Sequence, residues 1–136
     1  AESASFIQAF SKIGLIPDSG GTYTLPRLVG MQKASALMML GEKVNAADAE
    51  KMGMIYKALP DEGFLAAAQK IAEQLSQMPT LALARTKALL NASYANDLSA
   101  QLALEDKYQT ECGASHDYRE GTAAFLEKRA PEFKGH

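Results

Sequence analysis

The chain has 136 residues, of which 47% are hydrophobic and 22% charged, and its formal net charge at pH 7 is -2. This length gives at most one domain, and the ordinary composition allows a globular core and argues against general disorder. The near-neutral charge excludes an extended basic surface for nucleic acid or an anionic membrane. A single cysteine, Cys112, excludes an intrachain disulfide and favours a reducing, cytoplasmic setting.

The sequence also lacks targeting signals. No apolar run approaches the roughly 18 residues needed to cross a bilayer, so we expect no membrane partner. The first ten residues, AESASFIQAF, lack an initiator Met and the basic-then-apolar pattern of a signal peptide. We therefore expect the chain to be a piece of a longer protein.

The first elements in chain order are short. Residues 4–10 alternate weakly between apolar and polar and predict one strand. Residues 14–21 combine proline, aspartate, serine and glycine, which are typical turn formers, and predict a loop. Two helices follow, a short one over 22–29 and a better helix former over 32–40.

The next segment predicts a capped helix and a second strand. Asn45 has the residue type and position of an N-cap, and Gly53 those of the residue just past the helix end. Residues 54–59, MIYKAL, read as a short strand. Because nothing else in the chain reads as a strand, we expect the partners of both strands to lie outside it.

The remainder is predicted to be helical. From Asp61 onward the apolar residues recur on one helix face, namely Phe64, Ala68, Ile71, Leu75 and Met78. Three further helices are predicted at about 79–94, 97–112 and 117–129, and Pro131 ends the last one.

Asp18 is the first candidate for chemistry, and two interpretations stay open. Aspartate is common in turns, and here it could close a turn or cap the following helix. Alternatively it is a general acid/base, whose pKa burial would raise toward working pH. Its neighbours Leu15, Ile16 and Pro17 would then form an apolar wall, and Gly20 would let a substrate approach the backbone.

The last predicted helix holds a second candidate group. Phe125, Lys128 and Arg129 are spaced i, i+3 and i+4 and are predicted to share one helix face. They could be a solvated helix end, where the helix dipole favours cations. They could also bind a nucleotide, with the ring stacked on a base and the cation on a phosphate.

Other kinds of site have little support. His116 and His136 lie far apart in sequence without a second type of ligand nearby, so we expect no metal site. The fingerprints of dinucleotide binding, of the phosphate-binding P-loop and of a serine nucleophile elbow are all absent from the sequence.

Three long segments, taken together, are far more specific than these single features. They are F-x-x-A-F-S-K-I-G-L-I-P-D-S-G-G-T-x-x-L-P-R-L-V-G, then MMLGEKVNAADAEKMGMI, and then DYREGTAAFLEKRAPEF. The chain resembles the crotonase superfamily, the enoyl-CoA hydratases and isomerases, over essentially all of its length. The resemblance covers only the second half of a member. The preceding half would hold most of the sheet and the two backbone N–H groups of the oxyanion hole.

The resemblance implies a fold class and a domain organisation. We expect the mostly α-helical C-terminal part of an α/β fold, the ββα spiral of crotonase, with one or two short strands. Residues 1–60 would form the end of the core with an active-site loop over 14–21. Residues 61–136 would form a helical region for trimerisation and for capping CoA.

The resemblance also assigns the acids. Hydratases of the family carry a Pro-Glu pair where this chain has Ala9 and Phe10, so one hydratase acid is missing. Several isomerases carry an aspartate at the position of Asp18. The segment is most similar to the ring-1,2-epoxyphenylacetyl-CoA isomerases of phenylacetate breakdown. The implied function is an acyl-CoA isomerase that converts a ring epoxide to an oxepin or shifts a 3-enoyl double bond to the 2 position.

Two alternatives stay open. The complete protein could be an enoyl-CoA hydratase of fatty-acid oxidation, or the chain could act only as an inactive oligomerisation module. Phe125 and Lys128 match family positions that contact the adenine end of CoA, often in a neighbouring subunit. The resemblance thus implies a CoA thioester as substrate, no separate cofactor, and a homo-oligomer, either a trimer or a hexamer.

Overall fold

The computed structural model describes residues 1–136, which form seven helices and one pair of short strands. They divide into two units, Ala1–Ala67 and Ala68–His136, and the division falls within the fourth helix. No helix combines the length and the apolar character that a membrane span would require.

The first unit contains the two strands, a 3-10 helix and three short α-helices. Its elements in chain order are β1 (Ser5–Ile7), a 3-10 helix (Ala9–Ile13), α1 (Gly21–Val29), α2 (Met31–Leu40), β2 (Lys43–Asn45) and α3 (Ala46–Lys51). Few side chains of this unit are buried, and most of them are small: Leu25, Ala34, Val44, Ala46 and Ala49. The helices predicted over 22–29 and 32–40 are confirmed with small shifts of their ends.

The strand pairing differs from the sequence prediction. β1 pairs antiparallel with β2, with Phe6 opposite Val44, so a sheet partner does lie within the chain. The strand predicted over 54–59 does not form. The backbone N–H of Met54 instead donates to the carbonyl of Ala49 at 2.9 Å, which folds this segment back onto α3 and prevents an extended course.

The predicted cap of α3 is confirmed. The side-chain oxygen of Asn45 accepts a hydrogen bond from the Asp48 N–H at 2.8 Å, which satisfies one of the free donors of the first turn. Gly53 follows the helix with a φ of +79°, and its N–H donates to the carbonyl of Glu50 at 3.0 Å. Local chemistry alone therefore determines where this helix starts and stops.

The second unit is entirely helical. It contains most of α4 (Phe64–Ser76), all of α5 (Thr80–Ala92), α6 (Leu98–Gly113) and α7 (His116–Glu127). Asp97 caps α6 through the Ala100 N–H at 2.8 Å, and Ser115 caps α7 through the Tyr118 N–H at 3.1 Å. Ala124 and Asp117 are the buried residues of this unit, and several large apolar side chains are exposed.

Candidate functional site

The loop over residues 14–21 is tied back to the 3-10 helix. Gly14 ends that helix with a φ of +74°, a left-handed conformation that glycine adopts without a steric penalty. The N–H of Leu15 donates to the carbonyl of Phe10 at 2.9 Å. The start of the loop therefore keeps a fixed position beside Phe10.

A tight turn at Asp18 leads into α1. The carbonyl of Asp18 accepts a hydrogen bond from the Gly21 N–H at 2.8 Å. The two central residues, Ser19 and Gly20, both have positive φ, at +50° and +79°. A left-handed conformation costs a non-glycine residue such as Ser19 about 1 kcal/mol. The turn fixes the backbone of Asp18 just before the helix begins.

The side chain of Asp18 is exposed and has no hydrogen-bond or ion-pair partner within the chain. It does not cap α1, because the N-cap is Gly20 and no side chain accepts a capping hydrogen bond from the N–H groups of the first turn. The helix-cap interpretation of Asp18 is therefore wrong, whereas its backbone does close a turn. The carboxylate remains available to a group from outside this chain.

Apolar side chains precede Asp18 on the same loop. Leu15 is 58% exposed and Ile16 is 81% exposed. Pro17 is half-buried and packs against Gly21, where an added Cβ would lie 3.6 Å from the proline Cβ. Two exposed apolar side chains and a carboxylate without a partner thus occupy one short loop, and their role as an apolar wall of a substrate site stays a prediction.

The second candidate group lies where α7 ends. Phe125 is 82% exposed, and Lys128 is exposed as well. The helix stops at Glu127, and Lys128 follows with a φ of +55°. The predicted continuation to Arg129, with all three residues on one helix face, is wrong, because the left-handed residue turns the chain out of the helical path.

Residues 128–136, here called the tail, fold back along α7. Arg129 forms ion pairs with Glu120, and its Nη2 lies 2.9 Å from the Glu120 Oε2. Glu120 also accepts a hydrogen bond from the Glu132 N–H at 2.8 Å. These contacts with Arg129 and the Glu132 N–H lower the pKa of Glu120 to about 2.

Asp117 holds the far end of the tail. Its side chain is buried and accepts hydrogen bonds from the N–H groups of Lys134 at 2.7 Å and Gly135 at 2.8 Å. Its Oδ1 also lies 3.2 Å from Nδ1 of His116. Burial raises the pKa of Asp117, but these hydrogen bonds outweigh burial and hold it below its usual value.

Sequence reasoning missed both carboxylates of α7 that hold the tail. Asp117 and Glu120 read as ordinary acids in the first turns of a helix, which the helix dipole favours. Their partners lie between 9 and 18 residues further along the chain. Once the chain leaves the helix, no periodic pattern relates residues this far apart. No local signal in the sequence could therefore have identified these contacts.

The tail also borders an open groove in the second unit. The groove has a volume of about 720 Å³, and its aromatic lining comes from Tyr118, Phe125 and Phe133. Cys112 lines it as well and is half-buried. No group of three or more His, Cys, Asp or Glu side chains is arranged to hold a metal ion.

Comparisons with known proteins agree with this architecture. A "Probable enoyl-CoA hydratase" of Rhodobacter capsulatus is 48% identical over 135 residues, which are 99% of this chain and 52% of that protein. A "1,2-epoxyphenylacetyl-CoA isomerase" of Escherichia coli is 47% identical over 135 residues, with the same coverage. The chain spans about half the length of the curated relatives it matches.

Solved structures give the same result. An enoyl-CoA hydratase from Bacillus anthracis matches with a TM-score of 0.91 at 31% identity, over 99% of this chain and 52% of that one. An enoyl-CoA hydratase from Polaromonas matches with a TM-score of 0.89 at 36% identity, over 98% and 52%. The chain thus forms a mostly helical part of the crotonase fold. The profile of the enoyl-CoA hydratase/isomerase family matches residues 1–136, and the chain belongs to that family.

Proposed function

We propose that the complete protein is an acyl-CoA isomerase in which Asp18 moves the proton. The observation that supports this most is the state of Asp18, an exposed carboxylate on a tight turn with no partner in its own chain. The carboxylate can therefore contact a group from outside the chain without giving up any contact of the fold. The proposal gives the free carboxylate a partner in the substrate.

The chemistry needs one carboxylate in reach of two carbons. A thioester carbonyl makes the neighbouring carbon, C2, acidic when donors stabilise the enolate oxygen. Asp18 would take a proton from C2 of a 3-enoyl-CoA and return it to C4, which leaves the double bond between C2 and C3. Atoms and electrons balance without an added reactant. The oxyanion donors are expected in the part of the fold that this chain does not contain.

The residue at the second acid position favours isomerisation over hydration. A hydratase must activate water as well as move a proton, and hydratases of the family use two acids for this. Phe10 occupies the position of one of these acids and cannot activate water. The names of the two relatives do not decide the question, because one is a hydratase and the other an isomerase at nearly equal identity.

The substrate class and the assembly belong to the same proposal. The likeness to an epoxyphenylacetyl-CoA isomerase supports an epoxide-to-oxepin conversion in phenylacetate catabolism as the natural reaction. Leu15, Ile16, Pro17 and Gly20 would line the acyl site. Phe125 and Lys128 would meet the adenine end of CoA in a cytoplasmic trimer or hexamer, with no separate cofactor.

The test uses the complete protein and a 3-enoyl-CoA, with the rise of the conjugated 2-enoyl thioester followed by absorbance. Asp18→Asn is expected to lower the rate by roughly 10²- to 10⁴-fold, the usual size of a general acid/base contribution. Asp106→Asn, which changes another exposed aspartate, is the matched control and should keep the full rate.

Three results would contradict the proposal. Full activity of a folded Asp18→Asn variant would remove Asp18 from the mechanism. Water addition to crotonyl-CoA that is faster than the double-bond shift would identify a hydratase. Turnover by residues 1–136 alone would contradict the expectation that the oxyanion donors lie outside this chain.

A further inference from the structure

We propose that Glu120 and Asp117 are positioning residues, which set the direction of Lys128 relative to Phe125 by clamping the tail to α7. The inference rests on the proposed contact of Phe125 and Lys128 with the nucleotide end of CoA. It concerns residues that touch neither CoA nor the reacting atoms.

The first step is the conformation of Lys128. Its φ of +55° is one of only two positive values among non-glycine residues, and a lysine gains nothing from this conformation by itself. The neighbouring N–H groups hold it in place. Those of Lys128 and Arg129 donate to the carbonyls of Phe125 and Ala124 at 3.3 and 3.0 Å. The turn therefore needs Arg129 folded back against the helix.

The second step is what holds Arg129 in that position. Its guanidinium meets both carboxylate oxygens of Glu120, and its Nε lies 2.6 Å from the Glu127 Oε2. A guanidinium bound to two oxygens of one carboxylate has a defined orientation, which a single point contact does not give. The side chain of Glu120 is only 16% exposed, whereas that of Arg129 is 41% exposed, so the pair is sheltered from water on the carboxylate side.

The third step is the rest of the tail. Asp117 accepts hydrogen bonds from the N–H groups of Lys134 and Gly135, and Glu120 accepts one from the N–H of Glu132. Phe133 then packs against α7 at Gly121, where an added Cβ would lie 3.3 Å from the ring. Its ring lines the same groove as Phe125. The clamp thus builds one wall of that groove as well as the turn at Lys128.

The experiment measures the dissociation constant of CoA by calorimetry on the complete protein. Glu120→Gln removes the charge that holds Arg129, and we expect CoA to bind roughly tenfold more weakly because the Lys128 turn is no longer fixed. Glu111→Gln is the matched control. It breaks the ion pair with Arg85, an arginine–carboxylate pair of the second unit that does not involve the tail, and should leave CoA binding unchanged.

A second measurement separates positioning from general destabilisation. With an acyl-pantetheine thioester, which lacks the nucleotide, Glu120→Gln should turn over at the wild-type rate, and with acyl-CoA it should raise KM without lowering kcat. If Glu120→Gln does not fold, Arg129→Lys serves instead. A lysine keeps the charge but cannot span both oxygens, so the same nucleotide-dependent loss is expected.

The outcomes separate this inference from the proposed function. Equal CoA affinity of wild type and Glu120→Gln would overturn the positioning role. A loss with acyl-pantetheine as large as the loss with acyl-CoA would also overturn it, because the effect would then be structural. Wild-type protein that binds CoA but does not isomerise a 3-enoyl-CoA would refute the proposed function and leave the positioning role standing.

Discussion

The loop over residues 14–21 and the tail, residues 128–136, share one unusual backbone feature but are held in different ways. Each contains a non-glycine residue with positive φ, Ser19 in the loop and Lys128 in the tail. Backbone hydrogen bonds and the start of α1 hold the loop, and its carboxylate has no partner. Charged side chains hold the tail. The two acids of α7 that bind it, Asp117 and Glu120, each have several partners.

The two aspartates show what this difference means. Asp117 is buried and fully bonded, with a pKa held below its usual value, so it is fixed in its charged form and serves the fold. Asp18 is exposed on a backbone that is fixed without its side chain. The Asp18 side chain makes no contact that the fold depends on, which leaves it available for the proposed chemistry.

The largest expected effect tests whether packing of α1 positions the loop. Leu25 is 7% exposed, and Leu25→Ala should destabilise the first unit by about 2–5 kcal/mol, because a cavity replaces a core side chain. Hydrogen exchange on the complete protein should quicken over residues 14–40 and stay unchanged in the tail. Leu28→Ala, at a position 49% exposed on the same helix, is the control and should have a smaller effect. Faster exchange in the tail would contradict the separate anchoring of the two regions.

The next effect concerns the aspartates themselves. Asp117→Ala leaves the N–H groups of Lys134 and Gly135 without their acceptor, so exchange at both should quicken by roughly 10- to 100-fold. Asp18→Ala removes no partner and should leave exchange in the loop as it was. A loop that opens in Asp18→Ala would show that Asp18 does serve the fold.

The pH dependence of the tail follows from the lowered pKa of Glu120. The folded value of about 2 lies below the usual 4.5, so the charged carboxylate stabilises the fold. This contribution is complete above about pH 4.5 and is lost as the pH falls toward 2. A titration of the Glu120 side-chain carboxyl carbon by NMR should give a value near 2, and Arg129→Ala should return it toward 4.5. An unchanged pKa of Glu120 in Arg129→Ala would show that the ion pair with Arg129 does not lower it.

The smallest effect tests the two left-handed residues. Ser19→Gly and Lys128→Gly should each stabilise the local turn by about 0.5 kcal/mol, because glycine adopts positive φ freely but loses more chain entropy on folding. Exchange of the Gly21 N–H should slow slightly in Ser19→Gly. CoA binding should weaken only in Lys128→Gly, since that change also removes the proposed contact with the nucleotide end of CoA. Equal CoA affinity in both variants would remove Lys128 from the nucleotide site.

Much of the local structure could be predicted from the sequence because short-range chemistry decides it. The cap of α3 at Asn45 and the glycine that follows at Gly53 act within a few residues, so their positions in the sequence fix the helix ends. The turn over 14–21 follows from residue types that favour turns. The family could be identified because long motifs fix many residues at once.

The strand predictions failed for two different reasons. β2 has only three residues, which is too short for a periodic pattern to show in the sequence. Its extended course depends on pairing with β1, which lies 38 positions earlier at the central pair. Residues 54–59 have strand-forming side chains, but their backbone bonds to α3 instead. Pairing with a distant strand decides β2, whereas a local turn at the end of α3 overrules the strand propensity of residues 54–59.

The sequence by itself therefore determined the family, the helical character, the turn that carries Asp18 and the caps that delimit α3. Only the tertiary structure decided that Asp18 is left without a partner while Asp117 and Glu120 are fully used. The physical reason is that a carboxylate's environment is set by the groups that folding brings to it. For Asp117 and Glu120 these are backbone and guanidinium N–H groups 9 to 18 residues away, returned to α7 by the left-handed turn at Lys128.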